Sequence, residues 1–169
     1  MALQSLYRAG EDLVLFAQSR DPFKIADTLG IQIQMVKDFT VLKGVCMILS
    51  EVPWIFINDN LDEVMKKIVC AHELGHHMLH KDLMRQAILQ EFHILDLKNR
   101  PEYEANVVAA EILLPDQEVL DLIYNYKYDA YQIAQCTNSD VNLVALKCDI
   151  LADKGYVLNR IDHESAFLK

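Results

Sequence analysis

His72-Glu73-Leu74-Gly75-His76 is the stretch of this chain whose side chains could do chemistry together. On an α-helix, residues four apart lie one above the other on a single face. His72 and His76 could then present two imidazole nitrogens to one metal ion. Glu73 lies about 100° round the same helix, where its carboxylate could reach a metal-bound water without being a ligand. Two ligands and a general base are the parts that metal-assisted hydrolysis needs. The pattern has only three fixed positions, so two surface histidines on a solvated helix would read the same way.

The flanking residues decide between these readings. Leu61, Val64, Met65, Ile68 and Val69 recur at helical spacing. Continued at that period, the apolar stripe reaches positions 72 and 76. The histidines are therefore expected on a buried face, where polar groups need partners. A metal ion supplies one better than packing does. Gly75 is a costly helix residue and is expected where another segment approaches closely.

The elements that must position this helix can be read in order. Residues 5–18 carry apolar side chains at helical spacing. Asp21-Pro22 reads as an N-cap and first turn, opening a short helix that ends at Gly30. Residues 31–36, 44–50 and 53–58 read as three strands, expected to form a small antiparallel sheet. Asn58-Asp59-Asn60 would close the last strand and cap a helix from about Leu61. Residues 81–98 show no clean period and are expected to form a loop with a helical or strand segment near the site. Pro101-Glu102 opens a helix that stops before Pro115. Asp116 is expected to cap a helix over 118–124. A short helix over 131–136 follows, and Ser139 would open one over 141–154 ending at Gly155. The tail from Tyr156 is expected to fray.

A catalytic zinc site has three protein ligands and a water, so one ligand remains to be found. The helix from Pro101 offers Glu102, Glu104 and Glu111. Glu104 and Glu111 are seven apart and share a face with Val107 and Val108. A carboxylate turned inward is costly without a partner such as a metal. Glu104 is favoured and Glu111 stands as the alternative, although either could be a solvated helix carboxylate. Asn106 is expected to pack or to support a ligand. His77, His80 and His93 are expected at the surface or behind the ligands.

The two segments together resemble the ImmA/IrrE family of zinc metallopeptidases. His72-Glu-Leu-Gly-His76, followed by Glu104-Ala-Asn106-Val-Val-Ala-Ala-Glu111-Ile-Leu-Leu-Pro115, is similar to that family's paired motifs. Val108 stands where an aromatic residue is usual and Leu114 where methionine often occurs. The resemblance covers most of the chain, weakly from Ile133 onward. It implies a gluzincin-like site with one Zn²⁺ on His72, His76 and Glu104, and Glu73 as general base. Glu111, Asn106 and His77 would be supporting residues or alternative ligands. It implies an α+β fold with a zincin-like core, the small antiparallel sheet, the HExxH helix and a mostly helical C-terminal part. Residues 1–115 would form the metallopeptidase core, with 116–169 a helical region packed on it. The implied substrate is a regulatory protein, a helix-turn-helix repressor of a phage, mobile element or stress response. A non-proteolytic regulator that binds a repressor or senses metal on the same fold is the alternative, and the presence of Glu73 favours the enzyme.

Bulk properties narrow the classes further. The 169 residues carry a formal net charge of −9 and are 52% hydrophobic, enough for a real core. An acidic surface argues against direct DNA binding, which depends on a basic footprint. The stretch 129–153 has one lysine and no arginine. No apolar run approaches the ~18 residues needed to cross a bilayer, and the first residues lack the features of an export signal. Cys46, Cys70, Cys136 and Cys148 form no C-x-x-C pair and are expected as reduced, mostly buried thiols in a cytoplasm.

Overall fold

The computed structural model describes residues 3–86 and 100–158. Helix α1 (Leu3–Ala17) is followed by α2 (Pro22–Thr28), β1 (Gln32–Val36), β2 (Gly44–Leu49) and β3 (Val52–Asn58). Helix α3 (Glu63–Leu79) carries the His-Glu-x-x-His segment. Then come α4 (Lys81–Gln86), α5 (Arg100–Leu113), α6 (Asp116–Tyr124), α7 (Ala130–Cys136) and α8 (Val141–Asp153). The expectation for residues 81–98 is met by α4 as far as Gln86. The remainder of that stretch, with His93, lies outside the described residues, as does the tail beyond 158.

Local signals account for most element ends. The Asp21 carboxylate accepts from the Phe23 amide and Pro22 begins α2, as expected. Gly30 follows that helix at φ 71°, a conformation that costs glycine little. Three caps differ from expectation. Asp62, one turn before Met65, caps α3, and Asp140 rather than Ser139 caps α8. Asp116 does not cap α6; it lies within the helix's first turn, where its carboxylate is taken by two lysines.

The sheet is α+β in context but mixed rather than antiparallel, with strand order β1-β3-β2. β2 and β3 form an antiparallel hairpin. Its two turn residues, Ser50 and Glu51, both have positive φ (49° and 65°), as a type I′ turn requires. No glycine announces that turn in the sequence. β1 runs parallel to β3 on its other side. This is possible because residues 37–43 arch over the end of β3. Asn58 Nδ2 donates to the carbonyls of Phe39 (3.1 Å) and Leu42 (3.0 Å), and Asn60 Nδ2 donates to Lys37 O (2.9 Å). The two asparagines read as helix-capping residues therefore hold the crossover. Pro53, near the start of the central strand, precedes the first β1 pair, Gln32 with Trp54, so its missing N–H costs no β1 ladder bond.

One continuous core joins these layers, from Leu6 of α1 through Ile55, Ile68, Leu74 and Val108 to Leu151 of α8. Within it α3 is buried on every side from Ile68 to Gly75. Helix α5 packs on one flank and strands β2 and β3 on the other. Two glycines set these approaches. A Cβ on Gly75 would stand 2.8 Å from Ala105 Cα and 2.9 Å from Ala105 O. A Cβ on Gly44 would stand 3.1 Å from Glu73 Oε1. Gly75 thus serves the close approach its sequence position suggested. At the far end of α5, Arg20 Nη1 donates to Glu111 O (2.7 Å) and Ile112 O (3.0 Å), satisfying carbonyls left over at the helix end.

Candidate metal centre

His72 and His76 rise from adjacent turns of α3, and their Nε2 atoms stand 3.1 Å apart. The carboxylate set against them is that of Glu102, in the first turn of α5. Its Oε2 lies 3.2 Å from His72 Nε2 and its Oε1 lies 3.3 Å from His76 Nε2. These three residues form a group whose ligand atoms all fall within 4.8 Å of one another. Burial pushes the Glu102 carboxyl up, but the His72 and His76 rings beside it outweigh that, and it stands well below the usual carboxylate range. The start of α5 also favours negative charge there.

The hydrogen bonds around the histidines place their protons. His72 Nδ1 lies 2.8 Å from Asn106 Oδ1. An amide oxygen only accepts, so His72 carries its proton on Nδ1 and turns a bare Nε2 toward His76 and Glu102. Converging lone pairs and carboxylate oxygens repel one another unless a cation sits among them. Ligands about 2.0–2.1 Å from a tetrahedral zinc lie about 3.3 Å from each other. The three donor separations here, at 3.1, 3.2 and 3.3 Å, match that edge length. Donor chemistry and spacing both fit a divalent metal of the zinc type.

Glu73 is buried beside the cluster. Its pKa is pushed up to about 7, chiefly by burial, with His76 opposing and Glu102 adding to the rise. The backbone N–H of Cys46 donates to its carboxylate. That amide must point away from β3, as the backbone groups of every second residue do in an antiparallel pair. On β2 the alternate residues are Gly44, Cys46 and Ile48. Glu73 is thereby anchored by the outer edge of β2, which no other strand among the described residues pairs.

Residues 26–148 match the family model of Peptidase M78, described as the IrrE N-terminal-like domain. The chain belongs to this metallopeptidase family. It is 34% identical over 116 residues to a protein of Bacillus subtilis (strain 168) named Metallopeptidase ImmA, covering 67% of this chain and 64% of that protein. It is 27% identical over 139 residues to an uncharacterized immunity region protein 2 of Bacillus phage phi105, covering 82% of this chain and 86% of that protein. Membership of a metallopeptidase family implies a bound metal, in keeping with the donor set.

Of the expected residues, the structure brings His72, His76, Glu73 and Asn106 together, and the carboxylate set against the two histidines is that of Glu102, where Glu104 was expected. Glu104 is turned aside: its Oε2 lies 3.1 Å from His80 Nε2 and its Oε1 accepts from Arg100 Nε at 2.7 Å. Glu111 is fully buried but far along α5, paired with Lys147 and Lys154 at 2.8 Å each. His77 joins none of these contacts, and its Nδ1 is buried without a hydrogen-bond partner among the described residues. The signal for Glu102 was present in the sequence. Asn106 lies four residues beyond it, so the two share a face, and the face that supports His72 carries Glu102 one turn earlier. Following Glu111 back by seven leads to Glu104 instead. As expected, Cys46, Cys70 and Cys148 are buried and no cysteine is paired. No described helix is long and apolar enough to cross a membrane.

Proposed function

We propose that this chain is a cytoplasmic zinc endopeptidase, with one ion held by His72, His76 and Glu102 and with Glu73 as general base. The observation that carries this reading is the convergence of two imidazole nitrogens and a carboxylate beside a second, buried carboxylate. A zinc ion held there would acidify a bound water toward pKa ~7 and polarise a scissile carbonyl. Two neutral imidazoles and one carboxylate leave net positive charge at the site, which favours that ionisation. Glu73, with its pKa pushed up to about 7, can take a proton from the attacking water and return it to the leaving amine. Asn106 holds the His72 ring in the orientation that faces the cluster. The outer edge of β2 offers backbone groups to an extended substrate segment running past Glu73.

The substrate we assign is a regulatory protein, in particular a helix-turn-helix repressor of a phage, mobile element or stress response. The names of the two relatives, a phage immunity region protein and Metallopeptidase ImmA, support this class. The acidic chain, at −9, suits a basic protein partner better than DNA itself. Co-expression with such a repressor tests the assignment. The wild type should cut it under inducing conditions, and Glu73→Ala should leave it whole while keeping zinc. A repressor that stays intact with the zinc-loaded wild type, whether or not chelator is added, overturns the peptidase reading and leaves a binding role.

A further inference from the structure

The histidine that caps the C-terminus of α3 makes contacts that holding a metal does not by itself demand. His80 closes the helix, with φ −129° and ψ 38°, and its backbone N–H bonds His76 O at 2.8 Å. Its ring turns back toward the site. His80 Nδ1 lies 3.1 Å from His76 Nδ1, and His80 Nε2 lies 3.1 Å from Glu104 Oε2. Glu104 in turn is held by Arg100 Nε at 2.7 Å. The His80 and Glu104 side chains are only 8% and 13% exposed, so bulk water does not compete freely for these bonds.

The order of donors along this chain of contacts is determined from its outer end. An ionised carboxylate has no proton to give, so the N–H between His80 and Glu104 belongs to His80 Nε2. A neutral imidazole has a single N–H, which leaves His80 Nδ1 as a lone pair. The facing nitrogen, His76 Nδ1, must then be the donor. His76 Nε2 is left bare, directed at His72 Nε2 and Glu102.

We propose that His80 and Glu104 are positioning residues that fix the tautomer and ring plane of His76 for metal binding, as Asn106 does for His72. The proposal rests on the metal reading of the cluster given above. It gives Glu104 a role without making it a ligand, and it makes the two histidine ligands unlike. His72 is oriented by an amide oxygen on α5, whereas His76 is oriented by a second imidazole that is itself anchored to α5. The α3–α5 contact therefore orients both ligands and also supplies the third.

The test uses the full chain, zinc as the probe, and two readouts besides activity. Nitrogen-15 spectra of the zinc-loaded wild type should show His80 protonated at Nε2 and bare at Nδ1. They should also show coupling across the hydrogen bond from His76 Nδ1 to His80 Nδ1. His80 protonated at Nδ1 instead overturns the proposal without any variant being made. Zinc affinity, measured by competition with a chromophoric chelator, should fall about 10- to 100-fold in His80→Phe and in Glu104→Ala, with one ion still bound at saturation. Glu104→Gln keeps an oxygen that can accept from His80 and should retain most of the affinity lost in Glu104→Ala. Wild-type affinity in both His80→Phe and Glu104→Ala overturns the proposal while leaving the metal site standing. Zinc lost at saturation from Glu104→Ala but kept by Glu102→Ala makes Glu104 the ligand and also overturns it. A wild type that binds no zinc sinks the metal reading itself, and the positioning role with it.

Discussion

The two ends of α5 each gather carboxylates, and they have opposite fates. At the N-terminal end, Glu102 meets the imidazoles of His72 and His76. At the C-terminal end, Glu111 and Asp116 meet Lys147 and Lys154, while Glu11 meets Arg20. Glu11, Glu111 and Asp116 are close enough together to hold an ion by distance alone. The chain, however, already supplies cations there, with the Lys147 and Glu111 side chains both 0% exposed. A carboxylate cluster is open to a metal only where the protein has left its charge and lone pairs uncompensated. Distance between ligand atoms does not separate the two ends; the neighbouring ammonium groups do.

Substitutions should separate them further. The largest effect is expected at Glu73. Replacing it with Gln should lower cleavage by about 10²- to 10⁴-fold, the usual contribution of a positioned general base, with zinc content unchanged by elemental analysis. Retained turnover would mean that Glu73 is not the proton acceptor. Glu111→Ala should do the reverse. It removes one of the two carboxylates that neutralise buried Lys147, leaving Asp116, and should cost about 1.5–3 kcal/mol in denaturant unfolding, while the folded fraction still binds one zinc. Loss of zinc at unchanged stability would make the two ends alike after all.

A smaller loss is expected at Gly75, where α3 meets α5. Gly75→Ala sets a methyl against Ala105 backbone atoms and should cost about 1–3 kcal/mol, as overpacking does. It should also weaken zinc binding, because it pushes Glu102 away from the histidines. Zinc titration alongside thermal unfolding would show whether the two losses travel together. The smallest effect concerns acid. Burial raises the Asp116 pKa, but Lys147 and Lys154 outweigh it and hold it below the ordinary value. A carboxyl lowered on folding contributes stability above its unfolded pKa of about 4, and that contribution is lost as pH falls through the folded value. Asp116→Asn should therefore lose less stability than wild type when unfolding is compared at neutral pH and below pH 4. Equal slopes would remove Asp116 from the neutralised end.

Much of the site was legible because its signals are local. His72, Glu73 and His76 lie within two turns of one helix, and the stripe from Leu61 to Val69 told which side faces inward. The strands and most helices were legible for the same reason. Parallel pairing of β1 was not, because it depends on a crossover held by Asn58 and Asn60 side chains reaching back 16 to 23 residues. The hairpin turn at Ser50-Glu51 lacks the glycine that ordinarily marks positive φ.

The chain's sequence by itself determined the chemistry available: two histidines and a carboxylate at helical spacing, a carboxylate-bearing second helix, and the family to which these belong. It could not determine which of Glu102, Glu104 and Glu111 faces the histidines. Helical periodicity gives the angles between side chains but leaves the rotation of the helix about its own axis free. That rotation was decided by packing, with Ala105 seated on Gly75. It was also decided by lysines 36 and 43 residues away that claim Glu111. With those contacts made, Glu102 turns to His72 and His76, and Glu104 turns to His80.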